Sequence, residues 1–292
     1  MWPWLDRTGR FSALRALTFA LVIAPAVWLG TEAVMDWFGP RPVTEAIHQS
    51  GLWAIRLLAL SLAITPLRAA TRASKLIGVR RMIGVASFAY AALHLSLYVL
   101  DQHFALLHVA SEIALRIYLT IGFATLVILS ALAATSTDGM IKRLGAQRWT
   151  RLHKWVYAAA ALGTIHFFMQ SKLDVSEPIM MGGIFALLLA DRALMRFVRD
   201  PAPWALAALA IGISLATALF EAGWYSLAKG APFLFVLDAN LDFSFAIRPA
   251  WFVLAAGMTL VAARILRVWI GGTAASRDRQ PPAQTRQAAE AV

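Results

Sequence analysis

Residues 82–100 read MIGVASFAYAALHLSLYVL, an uncharged apolar run broken by a single histidine, His94. As a helix rising 1.5 Å per residue it covers about 28 Å, close to the ~30 Å of hydrocarbon in a bilayer. Backbone groups in lipid must be hydrogen-bonded internally, so a spanning segment is either a helix or a strand of a closed barrel. This run lacks the alternation of apolar and polar positions that a barrel strand needs. Comparable runs recur at about 12–30, 51–69, 117–135, 153–170, 179–197, 202–220 and 250–270. The expected fold is an all-α integral membrane protein, a polytopic helical bundle of about eight transmembrane helices.

Composition and charge point the same way. The chain of 292 residues is 60% hydrophobic and 15% charged, with a mean hydropathy of +0.65. A soluble fold of this size would struggle to hide so much apolar surface. The absence of cysteine excludes disulfides, thiolate nucleophiles, Cys-ligated zinc and iron–sulfur clusters. A net charge of +11 would suit nucleic acid, but its placement fits lipid instead. Of the Lys and Arg residues, 21 fall at the N-terminus, in alternate connections and in the C-terminal tail. They include Arg68, Arg72, Lys75, Arg80 and Arg81, then Lys142, Arg143, Arg148, Arg151 and Lys154. The other connections hold only Arg41, Arg116, Lys172, Lys229 and Arg248, while Arg56 lies inside a span. The positive-inside rule then places both termini in the cytoplasm, N-in/C-in.

Residues Met1–Arg10 carry no clear cleavage site, so the first run reads as a retained helix. Asp191 and Arg192 fall in the last third of the sixth run, where side chains can snorkel to the cytoplasmic interface. Thr135 to Thr137 read as the end of the fourth span, and Glu221 to Pro249 as the longest external connection.

The six histidines are informative by depth. His94 lies in the outer half of the third span, and His166 lies near the outer end of the fifth. His153 begins that fifth span on the cytoplasmic side. An ionisable side chain inside a span is costly and is a functional hypothesis by default. Two neutral imidazoles facing each other across a bundle suit a six-coordinate b-type heme. The competing reading of such a residue is a hydrogen-bonding partner between helices. His103 and His108 fall in an external loop and read as surface residues. His48 precedes the second span on the outer side, as a contact for a heme propionate or a quinone, or as an interfacial residue.

Spacing adds a constraint. Arg80 lies 14 positions before His94, about 21 Å of rise and some 40° of rotation on an ideal helix. His153 and His166 are 13 apart, about 20 Å of rise but roughly 140° around the axis. They share a face only if the helix is locally re-wound, or if His153 sits at a frayed start. Tyr90, Trp149, Trp155, Tyr157 and Phe168 flank the histidines and read first as packing and interfacial aromatics. Arg148 and Arg151 suit either propionate contacts or cytoplasmic anchoring, and Arg56 is a further propionate candidate.

Two stretches carry a family resemblance: ITPLRAATRASKLIGVRRMIGVASFAYAALHLSLYVL at 64–100 and TSTDGMIKRLGAQRWTRLHKWVYAAAALGTIHFF at 135–168. An R-R then H on one helix, with R-W-x-x-L-H then H on another, resembles the ferric-reductase-like transmembrane family. Within that family the chain is similar to heme-binding membrane subunits of bacterial methionine sulfoxide reductase systems.

The resemblance implies a heme b protein of the bacterial inner membrane, with one heme or two. Such a protein passes electrons to a periplasmic molybdenum-containing methionine sulfoxide reductase subunit. It is then an electron-transfer subunit rather than the catalytic one. His94 and His166 become the axial pair of an outer heme and His153 a ligand of an inner one. Arginine stands where a fourth histidine would be expected, and it is a poor iron ligand. Either the inner heme is weakly or unusually ligated, or Arg80 or Arg81 is a propionate partner.

No cytosolic flavin and nicotinamide domain follows, so electrons are expected from a cytoplasmic flavin reductase or the quinone pool. FMN occurs in the family, but no residue here is assigned to it. The division expected is an N-terminal transmembrane helix and periplasmic loop at 1–44 and a heme-binding core at 45–200. An extra C-terminal helix pair at 201–270 and a disordered cytoplasmic tail at 271–292 complete it. The alternatives are a stand-alone ferric or quinone reductase and a proton-coupled transporter.

Overall fold

The computed structural model describes residues 2–6, 8–172, 174–244 and 246–277, with backbone alone for 271–277. Among the described residues there is no strand beyond an isolated bridge between Leu5 and Phe11. The helices are α1 (Ala13–Val34), α2 (Pro42–Thr71), α3 (Ile77–Asp101), α4 (Leu106–Leu115), α5 (Ile117–Ala134) and α6 (Asp138–Leu144). They continue with α7 (Ala146–His153), α8 (Val156–Gln170), α9 (Ser176–Phe197), α10 (Pro203–Lys229), α11 (Phe233–Asp238) and α12 (Pro249–Arg277). Seven are long and apolar enough to cross a membrane: α1, α2, α3 with its preceding turn, α5, α9, α10 and α12. The protein is a multi-pass membrane protein.

The spans depart from expectation in informative ways. α2 starts at Pro42 rather than near 51, because proline at the first helical turn costs no hydrogen bond and presets φ. His48 therefore sits inside the helix rather than before it. The run expected at 153–170 is divided. His153 ends α7, and the chain passes through i→i−3 hydrogen bonds from Lys154 to Arg151 and from Trp155 to Leu152 before α8 begins. His153 and His166 therefore occupy two helices, and the ideal-helix rotation between them does not apply. α8 is only 15 residues, about 22 Å long.

α10 continues to Lys229, so Glu221 is helical and the connection expected from Glu221 begins only at Gly230. Gly230 takes a φ of +70° there, which terminates the helix in the left-handed conformation that glycine tolerates. α12 runs past 270 to Arg277, and the rest of the expected tail, 278–292, lies outside the described residues. Thr135 closes α5, and Thr137 opens α6 by accepting from the Met140 N–H at 3.2 Å.

Lipid removes most of the hydrophobic drive for helix association, so packing and small residues hold the bundle. One layer packs α2 on α3 and α5 on α8, with α9 closing the side. Its centre is Ile55, Leu58 and Leu62 of α2, Leu129 of α5, Ala159 and Ala160 of α8, and Met181, Phe185 and Leu188 of α9. A second layer packs α10 on α12 and both on α9, through Leu187, Ala210 and Val253. A Cβ on Gly183 would lie 2.6 Å from side-chain atoms of Thr217 and Val253, so glycine sets the approach of α9 to both helices. α1 lies outside, where the Tyr90 hydroxyl donates to the Val22 carbonyl at 2.9 Å.

Asp191 and Arg192 do not reach for an interface. Asp191 is buried, and Arg192 donates to the Tyr157 hydroxyl at 3.0 Å and to the Leu62 carbonyl at 2.6 Å. They face the protein because α9 is covered by α2, α8, α10 and α12.

Candidate cofactor cavity between two histidines

α2, α3, α5 and α8 enclose a cavity of about 580 Å³ at the end of the bundle where α2 begins and α3 ends. That volume falls in the range of small-molecule and cofactor sites. Its inner wall is apolar, with Leu52, Ile55, Leu58, Leu95, Phe123, Leu126, Leu129 and Phe167. Its rim is polar, with Glu45, His48, Gln49, Gln170, Ser171 and Glu177. A flat apolar group with a charged edge is accommodated by such a division.

His94 and His166 enter this cavity from α3 and α8, with ring centroids 6.3 Å apart and planes at 84°. Each is tethered through one nitrogen. His94 Nδ1 donates to the Ile47 carbonyl at 2.7 Å, and His166 Nδ1 donates to the Tyr118 carbonyl at 2.8 Å. A carbonyl only accepts, so both imidazoles carry their proton on Nδ1 and leave Nε2 with a lone pair. A metal-binding histidine is oriented in this way. Two imidazoles bound to one metal through bonds of about 2 Å, each with a further ~1 Å to the ring centre, have centroids about 6 Å apart.

Among the described residues no group of three or more His, Cys, Asp or Glu side chains could hold a metal ion. Two histidines alone make an incomplete set, and a macrocycle that brings its own nitrogens completes it. The residues present fit a heme.

The other expected site residues are distributed as follows. His48 lines the cavity rim and is exposed. His153 lies elsewhere, stacked on Trp149 with centroids 3.8 Å apart. Its Nδ1 meets the Trp149 carbonyl at 3.1 Å and its Nε2 meets Ser136 Oγ at 3.4 Å. Arg80 lies within electrostatic reach of His153, Arg68 and Arg192, at the end of α3 opposite His94. Arg81 pairs with Asp138 at 2.5 Å, and Arg148 is exposed on α7. Arg56 pairs with Glu177 at 3.1 Å and lies over the Trp53 ring. Two of the flanking aromatics have structural partners: Tyr157 holds Arg192, and Phe168 meets Trp224 at 4.5 Å.

Sequence reasoning passed over Gly51 and Gly122. A Cβ on Gly51 would fall 2.9 Å from His94 Nδ1, and one on Gly122 would fall 2.7 Å from His166 Nδ1 and Cε1. No local signal marks them, because what requires glycine is a ring on another helix.

The profile described as the ferric reductase like transmembrane component matches residues 50–164. The protein-methionine-sulfoxide reductase heme-binding subunit of Rhodospirillum rubrum is 40% identical over 188 residues, 64% of this chain and 88% of that protein. The subunit of the same name from Xanthomonas campestris is 41% identical over 191 residues, 63% of this chain and 87% of that one. Its namesake from Xanthomonas axonopodis is 41% identical over 187 residues, 62% and 85% respectively. No solved structure matches.

Proposed function

The chain belongs to the ferric-reductase-like transmembrane family, and from that premise we propose that it is the heme-binding membrane electron-transfer subunit of a protein-methionine-sulfoxide reductase system. Heme held between His94 and His166 supplies a one-electron carrier at the end of the bundle where α3 and α8 finish. The observation that carries this reading is the pair of rings 6.3 Å apart across an apolar cavity, each with its Nδ1 engaged and its Nε2 free. The Ile47 and Tyr118 carbonyls hold both imidazoles in place, which limits reorganisation on electron transfer. His48, Gln49, Gln170 and Ser171 at the rim offer hydrogen bonds to propionates, while Arg56 is engaged by Glu177.

We assign one heme per chain. His153 is held by Trp149 and Ser136, and with Arg80 and the exposed Arg148 it belongs to the donor side. There the cationic surface suits an anionic reduced flavin carried by a cytoplasmic reductase, with quinone as the other donor class. The acceptor is a periplasmic molybdenum-containing catalytic subunit docking on the cavity side.

Dithionite-reduced protein should show a b-type α-band with about one heme per chain. Two hemes per chain would return His153 to a ligand role. His94→Ala and His166→Ala should each remove most of the heme, and full retention in both would overturn the assignment.

A further inference from the structure

Both histidines meet the same local motif on the helix they face. His94 donates to the carbonyl of Ile47, and its ring lies against Gly51, four residues further along α2. His166 donates to the carbonyl of Tyr118, and its ring lies against Gly122, four residues further along α5. The separations agree as well, since carbonyl and histidine are 47 residues apart in one case and 48 in the other.

A helical carbonyl points along the axis toward residue i+4, where it accepts the backbone N–H. A ring can share that carbonyl only by lying flat against the helix at position i+4. Any side chain there occupies the space the ring needs. Gly51 and Gly122 are the positions at which the ring would meet a Cβ at 2.9 and 2.7 Å. By contrast Gly30, in α1, has nothing within 4 Å of the corresponding point.

We propose that Gly51 and Gly122 are positioning residues, forming two equivalent cradles that lock His94 and His166 in the Nδ1–H tautomer at the spacing of a shared iron. The inference rests on the heme reading above. Each cradle does two things. It aims Nε2 at the cavity, and through the Nδ1–H···O=C bond it makes the imidazole a stronger donor, which favours oxidised over reduced iron. The pair of cradles relates α2 and α3 to α5 and α8 as two copies of one ligand-holding unit. One copy differs from the other in that its second helix is broken from the segment before it at Lys154–Trp155.

The test compares purified full-length wild type with Gly51→Ala, Gly122→Ala and the control Gly30→Ala. ¹⁵N-histidine NMR of the dithionite-reduced protein reads the Nδ1–H hydrogen bond, and redox titration with low-temperature EPR reads the iron. Wild type should show a hydrogen-bonded Nδ1–H for both histidines. Gly51→Ala should lose the Nδ1–H hydrogen bond at His94 alone and Gly122→Ala at His166 alone, each with a raised reduction potential and a shifted low-spin EPR signal. Gly30→Ala should match wild type in all three measurements.

Wild-type histidines whose Nδ1–H carries no hydrogen bond would overturn the cradles even if neither cavity variant can be purified. So would alanine variants with an unchanged Nδ1–H hydrogen bond and potential, whose melting temperature merely rises as helix propensity predicts. A chain without heme defeats the proposed function, and the NMR result then still decides the cradles.

Discussion

Glu221 is wholly buried near the end of α10, and Arg248, just before α12, meets its Oε1 at 2.6 Å. Tyr225, one turn on, meets Asp174 at 3.4 Å, so the pair sits where three connections converge. Breaking a buried ion pair from one side leaves an uncompensated charge. Arg248→Ala should therefore cost about 3–5 kcal/mol, whereas replacing both partners by apolar residues should recover much of it. Thermal unfolding in detergent distinguishes the outcomes, and a single variant as stable as wild type would show the pair to be solvated. Individual residues were unevenly readable in advance. His94 and His166 stand out because an imidazole in an apolar run is expensive. Glu221 did not, because the helix carrying it was expected to stop first. Gly51 and Gly122 carry no chemistry of their own, and their meaning is a distance to another helix.

Helix existence followed from apolar runs, but helix ends depended on interactions that hydropathy does not register. The α7–α8 break turns on two i→i−3 bonds, and the extension of α2 turns on Pro42. The α9–α10 turn shows the same point in its electrostatics. Asp200 pairs with Arg264 and with Arg267 at 3.3 Å on α12, and with Arg72 after α2 at 3.8 Å. Desolvation alone would push this carboxyl up, but the hydrogen bonds and charges of Arg264 and Arg267 outweigh it and hold it below the usual 3.8. A carboxyl with a depressed folded-state pKa stabilises above its unfolded value and loses that contribution as pH falls through the folded one. Asp200→Asn should thus lower the melting temperature at pH 7 by a few degrees at most, since the group is half exposed. The difference between variant and wild type should shrink as pH drops below 3.8. A gap that is independent of pH would assign the effect to packing instead.

The molecule as a whole is two packed layers sharing α9, with the histidine cavity at one end and most of the cationic side chains at the other. This polarity gives the charge pattern a geometric consequence. Arg68, Arg80, Arg81, Arg148 and Arg192 gather at the end away from His94, while Arg56 and Arg248 are neutralised by Glu177 and Glu221. With the cationic end anchored in the cytoplasm, as the positive-inside rule expects, the cavity would face the opposite compartment, where the proposed acceptor resides. The chain contains no cysteine, so a single introduced cysteine is a unique reporter. Gly139→Cys, in α6, should react with a membrane-impermeant maleimide only when the cytoplasmic face is open, as in inverted vesicles. His108→Cys, exposed on α4, should react in intact spheroplasts. The reversed pattern would place the cavity in the cytoplasm, and electrons would then have to leave on the side from which they were supplied.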